Sequence, residues 1–175
     1  MKKTISIYGG GWVGAPLAFK LALADFDVRV SASSVHQQAA HPNIKVLDFR
    51  AEPEMPADNW SSMNDADIQI WAIPPRRKKN SEENYLAILQ DWVDNIPAGS
   101  AKKLIFLSST SVYANVSDTV DENSGINEDS LMAKAEAIVS SAKVPSLILR
   151  LAGLMGGDRY VAKYFSGKRN DGANC

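Results

Sequence analysis

Residues 9–14 read Gly9-Gly10-Gly11-Trp12-Val13-Gly14, and they join two segments of different hydrophobic period. Before them, Thr4–Tyr8 has the pattern of a β-strand. After them, Trp12–Ala24 carries Val13, Leu17, Ala18, Leu21 and Ala24 on one helical face. Pro16 is tolerated because it falls in the first helical turn, where its missing N–H matters least. Gly9, Gly11 and Gly14 match G-x-G-x-x-G. The first glycine of such a loop permits a tight turn, the second lets backbone approach a pyrophosphate, and the third lets helix and strand pack closely. N–H groups at the start of the helix then offer hydrogen bonds and positive partial charge to an anion. A strand, this loop, a helix and a second strand in succession imply a dinucleotide-binding turn in which Gly9, Gly11, Trp12, Val13 and Gly14 contact the ligand.

The rest of the chain repeats the alternation. Val28–Ala32, Ile44–Phe49, Asp67–Ile73, Lys103–Ser108 and Ser146–Leu151 read as further strands. His36–Ala40 and Trp60–Met63 read as short helical turns. Glu82–Asn95 reads as a helix burying Tyr85, Leu86, Leu89, Trp92 and Val93, and Asp129–Ser141 as another. The polar loop Asn115–Glu128 is the longest irregular stretch. Alternating strands and helices predict an α/β Rossmann fold, a doubly wound parallel sheet of order 3-2-1-4-5-6 with helices on both faces. Ligands of such sheets sit at the carboxyl ends of the strands, where the order reverses. The loops after the first, fourth and fifth strands therefore matter most.

Composition narrows the function classes. With 175 residues, 45% apolar and 22% charged, the chain has the make-up of one globular domain. A net charge of -1 gives no global attraction to nucleic acid or to an anionic membrane. The longest apolar runs, Leu104–Leu107 and Leu147–Leu149, are far too short to span a bilayer. Met1–Ile7 lacks the apolar core and cleavage site of a signal peptide, so a cytoplasmic protein is expected. The single cysteine, Cys175, allows no internal disulfide, and His36 and His41 have no metal-ligand spacing and are expected at the surface. Trp12, Trp60, Trp71 and Trp92 are scattered as packing residues are.

The second strand carries the cofactor selector in such folds: an acid about 20 residues beyond the glycines holds the ribose hydroxyls of NAD. Here that count reaches Val30-Ser31-Ala32-Ser33-Ser34, which contains no acid. Ser31, Ser33, Ser34 and His36 offer donors to a 2′-phosphate instead, so NADP is favoured, with NAD as the alternative; a loop and helix N-cap is the competing use of these serines. Arg76-Arg77-Lys78-Lys79 follows the fourth strand on the ligand side. Arg76 is placed to reach a phosphate, and a solvated basic loop is the competing reading.

The fifth strand runs into Phe106-Leu107-Ser108-Ser109-Thr110-Ser111-Val112-Tyr113, and the sixth into Ile148-Leu149-Arg150-Leu151-Ala152-Gly153-Leu154-Met155-Gly156. With the glycine loop, these segments resemble the extended short-chain dehydrogenases/reductases, the NAD-dependent epimerase/dehydratase group, over nearly the whole chain. The resemblance implies an oxidoreductase acting on a small-molecule substrate, with a strand-end hydroxyl that hydrogen-bonds the substrate oxygen. Ser109 and Thr110 are the candidates, and spacing alone does not decide between them. It also implies that Ile73, Pro74 and Pro75 line the adenosine or nicotinamide side, and that Tyr113 packs beside the site rather than acting as a base.

Two departures stand out. Val112-Tyr113 is followed by Ala114 where the group has glycine, and the Tyr-x-x-x-Lys motif is absent, since no tyrosine lies between Tyr113 and Tyr160. One register puts Ser130 and Lys134 in those two places. The other aligns Glu136 with an acid that follows the motif, puts Glu128 and Met132 there, and leaves Lys134 solvated; it is preferred slightly. Neither supplies a phenol, so a non-catalytic dinucleotide-binding sensor or scaffold is the second reading. Residues 1–157 are expected to form the dinucleotide domain and 158–175, with a helix over Asp158–Phe165, the start of a shortened substrate region. An apolar edge left without its covering segment is expected there, with a homodimer as one way to cover it.

Overall fold

A computed structural model describes residues 2–32, 41–75, 81–114, 119–157 and 159–160. Ser33, Ser34, His36 and Arg76 to Lys79 lie outside the described residues, as do the turn expected over His36–Ala40 and nearly all of 158–175.

Six strands form one parallel sheet: β1 (Thr4–Tyr8), β2 (Asp27–Ala32), β3 (Ile44–Asp48), β4 (Ile68–Trp71), β5 (Lys103–Ser109) and β6 (Ser146–Leu151), in the order β3-β2-β1-β4-β5-β6. This is the Rossmann-type order expected from the alternation. Helix α1 (Gly14–Leu23) covers one face. Its Ala18 and Ala22 are buried with Ile5, Ile7, Val28, Val30 and Ile70. Helices α2 (Ala57–Asn64), α3 (Glu82–Asp94) and α4 (Leu131–Ser140) cover the other face.

The second face holds the bulkier core. Tyr8 stacks on Trp71 at 5.4 Å, Trp71 lies 5.0 Å from Trp92, and Phe49 meets Trp60 edge-on at 5.2 Å. Most polar tips of this cluster are satisfied inside it, the Trp60 indole N–H being buried without a partner among the described residues. Gln69, on β4, accepts from the Trp92 indole N–H at 2.8 Å and donates to the Asn64 carbonyl at 2.8 Å, while the Tyr8 hydroxyl donates to the Asn64 side chain. Burial pushes the Tyr8 phenol well above its usual range. Trp60, Trp71 and Trp92 are thus packing residues, as expected, whereas Trp12 is half-buried at the glycine loop.

Several boundaries move for local reasons. Helix α1 begins at Gly14, two residues later than its apolar periodicity suggests, because Trp12 and Val13 are used in the turn. The turn over Trp60–Met63 extends to an eight-residue helix. On α3, Ile88 is fully buried with Tyr85, Leu89 and Trp92, while Leu86 and Val93 are only partly so. Ser81 caps α3, accepting from the Asn84 N–H at 3.1 Å, with Glu82 and Glu83 suiting the positive end of the helix dipole. After β5 the chain makes a 3₁₀ turn over Thr110–Val112 that periodicity did not signal. His41 is half-buried beside Phe19. Among the described residues no helix is long and apolar enough to cross a membrane, and no three His, Cys, Asp or Glu gather as metal ligands. Leu147 and Leu149 on edge strand β6 are exposed, as are Leu154, Met155 and Tyr160 beyond it.

At the amino ends of the strands, Asp67 ties three of them together. Its carboxylate accepts from Lys102 Nζ at 2.7 Å, the Thr4 N–H at 2.9 Å and Thr4 Oγ1 at 3.1 Å. The Lys102 bond first, and the Thr4 N–H second, hold this carboxyl at about 2, below its ordinary 3.8. A lowered folded value means that the clamp stabilises the fold above about pH 4 and that this contribution is lost as the pH falls toward 2. Asp67→Asn is expected to lower the urea midpoint at neutral pH and to converge with the unsubstituted protein in acid. A constant difference across that range would contradict the assignment.

Candidate functional site

The carboxyl end of β1 opens into the glycine loop, and each glycine has a different surrounding. Gly9 has φ +103°, and a Cβ there would meet the Ala72 carbonyl carbon and the Ile73 side chain at 3.0 Å. A Cβ on Gly10 would stand 2.8 Å from the Ser31 carbonyl oxygen. On Gly14 it would stand 1.9 Å from the carbonyl oxygen of Gly9, an impossible approach, so helix and strand are as close as only glycine allows. Gly11 is the exception: a Cβ there would meet nothing within 4 Å. Its open side faces a cavity of about 400 Å³.

Ser31 fastens the loop to β2. Its hydroxyl accepts from the Gly9 N–H at 2.8 Å and its carbonyl from the Gly10 N–H at 2.6 Å. The opposite wall comes from the end of β4, where the Ile73 carbonyl accepts from the Trp71 indole at 3.1 Å and from the Tyr85 hydroxyl at 3.1 Å. Those two bonds hold Ile73 and Pro74 against the cavity that Gly9, Gly11, Trp12 and Val13 also line. Ala72, Leu107, Ser108, Ser109, Leu151, Ala152, Leu154 and Arg159 complete the lining.

The two hydroxyl candidates separate. Ser109 ends β5 and opens on the glycine-loop cavity, while its Oγ also accepts from the Ser111 N–H at 3.1 Å. Thr110 begins the 3₁₀ turn and opens on a second cavity, of about 560 Å³, with Tyr113, Glu122 and Arg150. The Ser108 hydroxyl is turned to the α4 side of the sheet and donates to Glu136 Oε1 at 2.5 Å. Arg150 on β6 grips the same carboxylate, with Nη2 at 2.9 Å from Oε2 and Nε at 3.1 Å from Oε1. Its guanidinium lies 5.1 Å from the centre of the Tyr113 ring and donates to the Tyr113 hydroxyl at 3.3 Å. Glu136 and Tyr113 push the Arg150 pKa above its ordinary value. Tyr113 is therefore a packing residue tied to Arg150.

On α4, Ser130 is the N-cap, accepting from the Ala133 N–H at 3.2 Å. Lys134 is exposed and Met132 buried. Neither register puts a titratable pair in contact with the cavity.

Sequence reasoning passed over two charged residues at this end of the sheet. Asp48 ends β3 in register with Ala32 at the end of β2, and lines a separate cavity with Phe49 and Asn59. Parallel register would have revealed that pairing. Arg159 reaches the cavity from beyond β6, a placement that only the strand order predicts.

No family model matches the chain. It is 34% identical over 175 aligned residues to protein YeeZ of Escherichia coli strain K12, an alignment taking in 95% of this chain and 64% of YeeZ. The fold is shared with WbmH of Bordetella bronchiseptica in complex with NAD+, at a TM-score of 0.73 and 14% identity over 92% of this chain and 59% of WbmH. It is also shared with UDP-glucuronic acid 4-epimerase of Bacillus cereus in complex with NAD, at 0.70 and 17% over 87% of this chain and 57% of that enzyme. Structural neighbours of this chain are thus NAD-binding enzymes of the epimerase/dehydratase type, and the likeness to them is one of fold. The chain spans less than two thirds of the length of each of these three proteins.

The Glu136–Arg150 pair joins α4 to β6 beneath the serine-rich strand end. Glu136→Gln is expected to cost about 3 kcal/mol in urea unfolding, since it leaves a largely buried guanidinium without its counter-charge. Adding Arg150→Met should restore most of that loss; a double variant less stable than the single one would contradict the pairing.

Proposed function

We propose that this chain binds a nicotinamide dinucleotide across the carboxyl ends of β1, β4 and β5, with the pyrophosphate on the glycine loop. The observation that carries the reading is the contrast between Gly14, packed against the Gly9 carbonyl, and Gly11, open to the cavity. Tight helix packing together with unoccupied space at the second glycine is what a phosphate cradle requires. NADP is favoured over NAD because β2 ends Val30-Ser31-Ala32 without an acid, followed by Ser33 and Ser34. NAD is the form bound by the structural neighbours.

Within that reading the chain is an oxidoreductase of the epimerase/dehydratase type. A bound nicotinamide supplies hydride exchange with a carbinol or ketone carbon. Ser109 donates a hydrogen bond to the oxygen on that carbon, and Ile73, Pro74 and Leu107 keep water from the apolar side of the cavity. Ser109 is preferred to Thr110 because it lines the glycine-loop cavity. A second reading, a dinucleotide-binding module without turnover, is favoured by α4: Ser130 is spent as a cap and Lys134 points to solvent. No phenol stands in the usual place to exchange a proton with the substrate.

Calorimetric titration with NAD, NADH, NADP and NADPH tests the binding. At least one should bind, the phosphorylated forms more tightly, and no binding of any would overturn both readings. Gly11→Ala is expected to leave stability within about 0.5 kcal/mol of the original while weakening that binding at least tenfold. Cofactor oxidation with a carbonyl panel separates the readings: turnover that collapses in Ser109→Ala establishes the oxidoreductase, and binding without turnover establishes the module.

A further inference from the structure

The glycine motif does not account for every charge at the cavity. Beyond β6 the chain turns back on itself, with Gly156 and Arg159 exchanging backbone hydrogen bonds of 2.8 and 2.9 Å. Gly156 and Gly157, at φ +143° and +55°, supply backbone conformations that few other residues adopt. The turn brings Arg159 over Trp12, with Cζ 4.3 Å from the ring centre. Among the described residues that line the cavity, Arg159 carries the one formally charged side chain. The others are apolar residues, glycines and two serines.

Without Arg159, the described lining offers little positive charge to the ligand proposed above. A pyrophosphate bridge carries two formal negative charges, whereas the start of a helix offers roughly half a positive charge. The Gly9 and Gly10 N–H groups are already bonded to Ser31, so they have no first call to make on an anion. A guanidinium stacked on an indole uses its face for that contact and keeps its in-plane N–H groups for an acceptor. Trp12 therefore orients the arginine without occupying its donors, and the same residue's backbone belongs to the loop that receives the phosphates.

We infer that Arg159, oriented by Trp12, is the cation that neutralises the pyrophosphate of the bound dinucleotide. The inference rests on the dinucleotide reading and gives the site a residue outside the glycine motif. It makes phosphate recognition depend on two distant parts of the chain, the turn after β1 and the turn after β6.

The test compares ligands with and without the diphosphate. Binding of NADH, NADPH, ADP and adenosine is measured for the unsubstituted protein, Arg159→Gln and Arg159→Lys. Arg159→Gln is expected to weaken both ADP and the better-bound dinucleotide about tenfold or more, as loss of a charge-assisted bond does. Adenosine affinity should stay the same. The dinucleotide affinity of the unsubstituted protein should also fall more steeply with salt than that of Arg159→Gln, and Arg159→Lys should recover part of the loss. Matching melting curves for all three proteins serve as the structural control. If the unsubstituted protein binds no dinucleotide, the functional reading fails and takes the inference with it. If it binds and Arg159→Gln binds equally well, more tightly, or with an equal loss for adenosine, the inference alone is overturned.

Discussion

The approach of Gly14 to the Gly9 carbonyl fixes more of this molecule than any other contact. With no side chain between them, α1 starts against the end of β1 rather than a side chain's width away. That distance lets small residues, Ala18 and Ala22, close the core beneath α1 against Ile5, Ile7, Val28 and Val30. It also aims the start of the helix at the end of the strand, where the exposed Gly11 lines the cavity. Packing and recognition thus come from one geometric fact, and neither can be altered at position 14 without the other.

The sheet then divides its labour by parity. Along β5, Leu104, Phe106 and Ser108 face the helices α3 and α4, while Ile105, Leu107 and Ser109 face the side of α1. Ser108 is committed to Glu136 and through it to Arg150, so the strand end that carries Ser109 is held from below by a buried ionic network. A group on such a support keeps its position when a ligand arrives, which is what orienting a substrate oxygen asks of it. Direction along the strands matters as well: the Asp67 clamp is at the amino ends and the glycine loop at the carboxyl ends, so a stabilising device and the proposed binding site occupy opposite edges of the sheet.

Much of this was legible in the residues. The bounds of β1 and β6 agree with the hydrophobic pattern to the residue, because each is a short run ended by glycine-rich or polar chain. The strand order followed from alternation and crossover handedness. What pattern could not supply was partnership across the sequence. Counting from the glycines reached Ser31 as a residue at the ribose corner, but nothing local shows that its hydroxyl accepts from Gly9. Spacing left Ser109 and Thr110 equivalent; the structure separates them because the strand stops between them and a 3₁₀ turn swings the threonine away. Asp48 and Arg159 were unread for the same reason, each reaching the carboxyl end of the sheet from a strand far off in sequence.

Ser31 has one more consequence, which concerns how such a site can change over time. Under the proposed dinucleotide reading, the residue that would choose between the two cofactors also pins the glycine loop. An aspartate there would have to keep the Gly9 N–H bonded and reach a ribose at once, so a single substitution trades loop order against ligand choice. Selectivity is then free to drift only where no backbone bond depends on the residue.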